Sequence, residues 1–367
     1  MDEMKGQGEM AKKGLVSILV VMGMILPVFC FSSCGVLRAY SSGYFDYFDT
    51  YSSFTVYASS KEEFNSFAEI FESEAEKYHK LLNIYEKYDG LVNLASLNDQ
   101  AAGEKVEVSR ELMDFLLEAK KIEETTHGYT NIAFGAVTSL WHEARESSEE
   151  EKYLPNDNEL NEAAKHTDIS CLVLDTDNLT VRFTDCDMKL DGGAIGKGYA
   201  ADRIAEALSD AGYHSFLISL GGNVVSRGHK GETERKKTDE PWLSGIEDPT
   251  AYFEHTKDIS LALPKSVDIT DMSLVTSGSY QRYFELDGKI YHHIISPDSL
   301  YPENNFLSVS VIGSSSTLCD GFSTALFSMD LSDGKELVES TVGVEAIWIT
   351  VGGEIIFSEG FESYTVS

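Results

Sequence analysis

Two short stretches hold residue types suited to a metal-assisted phosphate site. One is Leu190-Asp191-Gly192-Gly193-Ala194-Ile195-Gly196-Lys197-Gly198-Tyr199. Glycines let a backbone approach a ligand closely and expose its N–H and C=O groups. Placed just before a helix, such a loop can meet a phosphate with N–H donors, and Lys197 adds a positive charge. It is not a Walker A loop, and tight-turn packing explains a glycine-rich segment equally well. The other is Cys319-Asp320-Gly321-Phe322-Ser323-Thr324-Ala325-Leu326-Phe327. On a helix, Asp320 and Thr324 stand four apart and share a face. A carboxylate beside a hydroxyl suits Mg²⁺, which takes oxygen ligands and keeps places for water or phosphate oxygens. The plainer alternative is an acid that favours a helix start and a threonine bonded back to its own backbone.

Two further stretches add candidates. Ser277-Gly278-Ser279-Tyr280-Gln281-Arg282-Tyr283-Phe284 precedes Tyr291-His292-His293-Ile294-Ile295-Ser296-Pro297. A histidine is the natural group for proton transfer near neutral pH, although paired histidines at a strand end are more often structural. Thr130-Asn131-Ile132-Ala133-Phe134-Gly135, with Ser139-Leu140-Trp141-His142, mixes small, polar and aromatic residues. That mixture suits contact with a flat ring, or ordinary core.

The elements that must position these residues are partly readable. Thr50–Tyr57 reads as a strand. Ser60 with Glu63 forms a capping box, and Phe64, Phe67, Phe71, Ala75, Tyr78 and Leu82 follow at helical spacing. A second helix opens at Ser109, carries Leu112, Leu116, Ala119 and Ile122, and ends near Gly128. Glu146–Glu159 reads as a solvated helix end and loop. Leu172–Leu174 and Val181–Phe183 flank a hairpin turn at Asp175–Asn178. Gly196–Ala211 reads as a helix, Phe216–Leu220 as a strand and Lys230–Asp239 as an exposed loop. Strand Val309–Ile312, helices Leu318–Met329 and Gly334–Ser340, and a hairpin of Ala346–Val351 with Glu354–Phe357 complete the chain. Helices and strands interleave without regular βαβ spacing, so the expected class is α+β.

The 367 residues are 42% hydrophobic, enough for a sizeable core. The formal charge is −32. Such a surface repels phosphate backbones and argues against nucleic acid as a partner. A phosphate-bearing small ligand then requires a cation or a local cluster of donors. Lys12 and Lys13 precede an apolar run from Leu15 to Phe31, followed by Ser32-Ser33-Cys34-Gly35. These features describe a secretory signal over 1–33. Cys34 sits where a bacterial lipobox places its lipidated cysteine, with Phe31 a less usual residue at the first position. A retained membrane anchor is the alternative, against which Pro27 and the modest length of the run weigh. Residues 34–45 then form a tether, and 46–367 a single domain on the outer face of the membrane. Cys171, Cys186 and Cys319 are read as buried free thiols, with a Cys171–Cys186 pairing across the hairpin as the alternative, and no Cys/His cluster supports zinc or iron–sulfur.

In this order, the segments resemble the ApbE family of FAD:protein FMN transferases. The resemblance runs from about Phe48 to Phe327. It takes in Phe48-Asp49-Thr50, Tyr85, Asn131–Gly135, Asp191–Asp202 and Ser219-Leu220-Gly221-Gly222-Asn223-Val224. Trp242 with Gly245-Ile246-Glu247-Asp248-Pro249, Ser277–Phe284, His293–Pro297 and Cys319–Phe327 complete it.

The resemblance implies a compact, two-lobed α+β fold with mixed or antiparallel sheets, flanking helices and an FAD cleft between lobes. It implies Mg²⁺ held by Asp320, Thr324 and the main-chain oxygen of Ala194. FAD would be contacted by Phe48, Tyr85, Tyr129, Thr130, Asn131, Asp191, Lys197 and Ile294, with His293 as base. The implied reaction moves FMN from FAD to a Thr or Ser hydroxyl of an acceptor protein and releases AMP. The acceptors implied are flavin-carrying subunits of membrane redox systems with a Ser-Gly-Ala-Thr-like motif. No such tetrapeptide occurs in this chain, so self-modification is not expected. Ser296 stands where the family usually has Asp, and Ser299-Leu300 where it has Thr-Gly, which removes a partner for His293 or the metal. Gly192-Gly193-Ala194 replaces a more common Leu-Gly-Gly and leaves the backbone role intact. Two rival readings keep the same cleft: a Mg²⁺-dependent FAD pyrophosphatase giving FMN and AMP, and a non-catalytic flavin-binding lipoprotein.

Overall fold

In the computed structural model, Thr50–Ala58 alternates buried Phe54, Val56 and Ala58 with partly exposed residues, as a half-buried strand must. It is the second strand of an eight-stranded sheet whose spatial order follows the chain. The strands are β1 (Arg38–Tyr47), β2 (Thr50–Ala58), β3 (Phe216–Leu220), β4 (Asn223–Arg227), β5 (Ser273–Gly278), β6 (Phe306–Gly313), β7 (Glu345–Thr350) and β8 (Ile355–Phe357). Every neighbouring pair is antiparallel. The structure describes residues 37–148, 151–234, 236–252, 262–264 and 266–366. Leu37–Ser367 forms one compact unit. The signal segment 1–33 and the lipidation candidate Cys34 lie outside the described residues. Among the described residues, no helix is long and apolar enough to cross a membrane.

Helices pack on this sheet by apolar faces. In α1 (Lys61–Leu81), Phe64, Phe67, Phe71, Ala75, Tyr78 and Leu81 are buried at three- and four-residue intervals. Each such aromatic removes enough apolar surface to contribute roughly 1.5–3 kcal/mol. The α1 start differs from a reciprocal capping box: Ser60 Oγ accepts from Glu63 N at 3.2 Å. The Glu63 carboxylate instead accepts from the Ser59 N–H and hydroxyl, both at 2.6 Å. Helix α2 (Arg110–Thr125) starts on the Ser109 cap, and α3 (Gly135–Glu146) follows the Thr130–Phe134 segment. Then come α4 (Gly196–Asp210), α5 (Ser316–Ser328) and α6 (Leu331–Ser340).

Three expectations change. The tether over 34–45 is displaced by β1, whose Tyr40, Tyr44 and Tyr47 pack on the main core. Ser41-Ser42-Gly43 at its centre interrupts the aromatic residues and hid an edge strand. The acidic stretch 146–159 runs into a short helix, Asp157–Ala163, which opens on a reciprocal Asn156–Glu159 capping box. Of the three thiols, all free, only Cys319 is buried; Cys171 is half-buried and Cys186 exposed.

Two hairpin turns face the same space. Gly221 and Gly222 form the two-residue turn between β3 and β4, both with positive φ, the mirror-type turn that glycine permits. A Cβ at Gly221 would lie 2.4 Å from Thr50 Oγ1. Phe48 and Asp49, between β1 and β2, also have positive φ, at 56° and 52°. That is a strained conformation for an aromatic residue, and such strain gathers where structure serves function.

Candidate active site

The two turns border a cleft of about 840 Å³, toward the upper end of the range for small-ligand sites and roomy enough for a dinucleotide. Its walls come from three apolar clusters. Phe48, Leu82 and Ala194 belong to the one built on α1 and α4. Tyr129 and Ile294 belong to that around α5, and Phe134 and Trp141 to that around α3. The cleft lies within the single compact unit, between these clusters.

The metal-ligand candidates form the best-defined corner. Gly198 N, in the first turn of α4 where an N–H has no partner inside its own helix, donates to Asp320 Oδ2 on α5 at 2.8 Å. Ala194 O is left without a hydrogen bond among the described residues. Thr324, one turn beyond Asp320, likewise makes no side-chain hydrogen bond there, and all three residues line the cleft. The close approach requires glycine, because a Cβ at Gly198 would lie 2.4 Å from Ser316 O. Burial is the largest influence on Asp320 and pushes its carboxyl up, opposed by Lys197 and the Gly198 N–H. A buried carboxylate with a free carbonyl and a free hydroxyl beside it is an oxygen donor set that fits Mg²⁺.

The glycine-rich loop uses part of its N–H set for its own structure. The N–H groups of Gly193, Ile195, Gly196 and Gly198 are bonded to Asp191 Oδ1, to Gly192 O twice, and to Asp320. Without a hydrogen bond among the described residues are the Ala194 carbonyl, the Lys197 ammonium and the N–H groups of Gly192, Ala194 and Lys197. Asp191 is held in place from two sides, accepting from Thr138 Oγ1 at 2.8 Å and from Gly193 N at 2.8 Å.

Cations answer the charge problem locally. Arg145, Lys197 and Arg282 all line the cleft of this acidic chain. Lys197 and Arg282 make no ion pair or hydrogen bond among the described residues, whereas Arg145 Nη2 contacts His142 Nδ1 at 2.8 Å. Tyr85 is 62% exposed and lays its ring over His142, with centroids 4.9 Å apart. The rings are tilted by 32° and form an aromatic shelf.

His293 lies just past the strand Lys289–His292, on the cleft wall. Its ring is half-buried, and Nδ1 is sealed from solvent with no hydrogen-bond partner. Desolvation first, then His292, Lys197, Arg282 and Arg145, push its pKa down to about 3. Ser296 is buried and its Oγ accepts from Asp298 N at 3.3 Å. The nearby carboxylate, Asp298, accepts from the Tyr129 hydroxyl at 2.6 Å instead, which with burial raises that phenol to about 12. His293 therefore stands without an orienting carboxylate.

His292 is structural. Its Nε2 lies 2.6 Å from Glu303 O, and its Nδ1 accepts from Ile294 N at 3.2 Å. Burial pushes its pKa to about 4. Both histidines have folded pKa values below the ordinary 6.5, so between those values the unfolded chain binds protons that the folded chain refuses. Their contribution makes stability fall as pH drops from about 6.5 toward 4. Melting temperatures measured across that window are expected to fall less steeply for His292→Gln than for the parent chain.

All twelve residues assigned to cofactor, metal or base line this one cleft. Two of them use their side chains elsewhere. Thr130 is buried and donates to Gly321 O at 2.6 Å, tying its segment to α5. Asn131 donates to Thr167 O at 2.8 Å and accepts from Ala133 N. His142, read from sequence as a candidate for contact with a flat ring, and Asn223, part of a motif of the resemblance, line the cleft; so does Arg145, which was not singled out. His142 and Arg145 sit at i and i+3 on α3, and the role of Arg145 becomes readable only when the cleft-facing side of that helix is known. A family model for the ApbE family matches residues 48–348.

The chain belongs to the ApbE family.

Among its relatives are an FAD:protein FMN transferase of Treponema pallidum, 34% identical over 70% of each chain, and one of Klebsiella pneumoniae, 31% identical over 76% of this chain and 84% of that one. The crystal structure of the ApbE protein of Thermotoga maritima superposes with a TM-score of 0.76 at 28% identity. It covers 90% of this chain and all of that one. The α+β class with antiparallel sheets is thus the ApbE architecture.

Proposed function

We propose that this chain is an FAD:protein FMN transferase that uses Mg²⁺ and modifies a hydroxyl of an acceptor protein outside the cytoplasm. The observation that carries this reading is the corner where the buried Asp320 carboxylate, held by the Gly198 N–H, meets the unbonded Ala194 O and Thr324 hydroxyl beside Lys197 and Arg282. Mg²⁺ held by those three oxygens would supply positive charge to the FAD diphosphate and to the charge that builds up at phosphorus. Lys197 and Arg282 neutralise other phosphate oxygens, and the Tyr85–His142 shelf supports the flat flavin. The acceptor hydroxyl oxygen forms a bond to the FMN-side phosphorus, and the bond from that phosphorus to the AMP oxygen breaks. His293, neutral at pH 7, takes the hydroxyl proton, and AMP departs as the anion.

The acceptor is read as a flavin-carrying subunit of a membrane redox system with a Ser-Gly-Ala-Thr-like motif. The reading of 1–33 as a signal segment and Cys34 as a lipidated residue supports anchorage at the outer face of the cell membrane. Incubating the protein with FAD, Mg²⁺ and an acceptor domain, then measuring intact mass, tests the proposal. The expected result is an FMN-sized gain on the acceptor; no gain with FAD in excess would refute it.

A further inference from the structure

Asp202 lies on α4, one helical turn past Gly198, and does not line the cleft. Its carboxylate is buried and receives four hydrogen bonds from the start of α5. Oδ1 accepts from Ser316 N at 2.9 Å. Oδ2 accepts from Thr317 N at 2.8 Å, Thr317 Oγ1 at 2.7 Å and Ser315 Oγ at 2.9 Å. The N–H groups of a first helical turn have no partner inside their own helix, and a negative charge there also meets the positive end of the helix dipole. Yet α5 has a local cap already, since Ser315 Oγ accepts from Leu318 N at 3.2 Å. Beyond capping, Asp202 attaches α5 to another helix.

The attachment has two rungs. Asp202 grips Ser316 and Thr317, and one turn away the Gly198 N–H grips Asp320. The residue numbers rise along α4 while they fall along α5, so the helices meet in opposite directions. Between the rungs the backbones are so close that only glycine fits at 198. Rotating or sliding α5 by even a fraction of a turn would break the lower rung and swing Asp320 and Thr324 away from Ala194 O.

We propose that Asp202 is a positioning residue for the metal corner, fixing the rotation and height of α5 on α4 so that Asp320 and Thr324 meet the free carbonyl of Ala194. The inference rests on the metal reading of that corner under the proposed function. It is tested by Mn²⁺ binding in the presence of FAD without acceptor, followed by the electron paramagnetic resonance of free Mn²⁺. Asp202→Ala is expected to weaken Mn²⁺ binding about tenfold, the lower end of what loss of a supporting residue costs a metal site. Asp202→Asn keeps an acceptor for the three Oδ2 bonds and is expected to stay within about threefold of the parent, given those retained bonds. A folded Asp202→Ala protein with a lower melting temperature and unchanged Mn²⁺ affinity would make Asp202 a simple cap and overturn the proposal. Should Asp202→Ala fail to fold, Thr317→Val removes one bond of the four; weaker Mn²⁺ binding supports the proposal and unchanged binding overturns it. If the parent chain itself binds no Mn²⁺, the metal reading falls and this inference with it, a result distinct from failure of Asp202 alone.

Discussion

Replacing Asp320 with Ala is expected to lower the Mg²⁺-dependent transfer rate by about 10³-fold or more, the scale of losing a principal stabiliser of transition-state charge. The expectation follows from burial. Asp320 is 4% exposed, and desolvation raises its pKa. Such a group stays ionised when cations face it, and Lys197 is the cation that pulls its pKa back down. The substitution has a structural cost as well, because Gly198 N loses its acceptor, worth about 1–3 kcal/mol for an unsatisfied buried donor. Asp320→Asn separates the two effects. It keeps an oxygen for Gly198 and the shape of the site but removes the charge, so it is expected to restore melting temperature while leaving transfer nearly as impaired. AMP release measured against Mg²⁺ concentration reads the difference. If rate and Mg²⁺ dependence survive in a folded Asp320→Ala protein, the metal assignment is wrong.

The second large effect is expected at His293. His293→Ala should lower the transfer rate by about 10²–10⁴-fold, the range for removal of a general base, with little change in FAD affinity. The parent chain is expected to lose activity as pH falls and protonates the imidazole, because a base must be neutral to accept the hydroxyl proton. In the free protein that protonation occurs only near pH 3. Bound diphosphate offsets the field of Lys197 and Arg282, which helped depress the pKa, so the limb in the FAD complex should lie higher. His293→Ala should lack that limb altogether. A variant with the parent's pH profile and rate would remove His293 from the chemistry. Ser296 and Asp298 bear on the size of the effect: with no carboxylate on the Nδ1 side, the imidazole lacks a group to stabilise its protonated form.

Where a side chain's chemistry was its own, the sequence was legible. Asp320, Thr324 and Lys197 were identified from residue type and helical spacing, and the resemblance added Ala194, whose role belongs to its backbone. The α1, α2 and α4 helices followed from apolar spacing and Ser60 and Ser109 caps, because each buries one continuous face. Other features depended on long-range pairing. The β1 strand, interrupted by Ser41-Ser42-Gly43, becomes a strand because β2 offers it an edge and the core accepts Tyr40 and Tyr44. The bond from the Gly198 N–H to Asp320 needs α5 in place. Arg145 gains meaning only from which side of α3 meets the cleft. Thr130 and Asn131 show the reverse: sequence placed them correctly at the cleft, while hydrogen bonds to Gly321 O and Thr167 O commit their side chains to the scaffold.

Transfer and hydrolysis share every residue named in the cleft and differ in what attacks phosphorus. The direct discriminator is a single reaction with FAD, Mg²⁺ and acceptor in which AMP, free FMN and acceptor-bound FMN are quantified together. Transfer predicts one acceptor-bound FMN for each AMP, with little of either product when acceptor is omitted. AMP accompanied by free FMN, at a rate indifferent to acceptor, would contradict it.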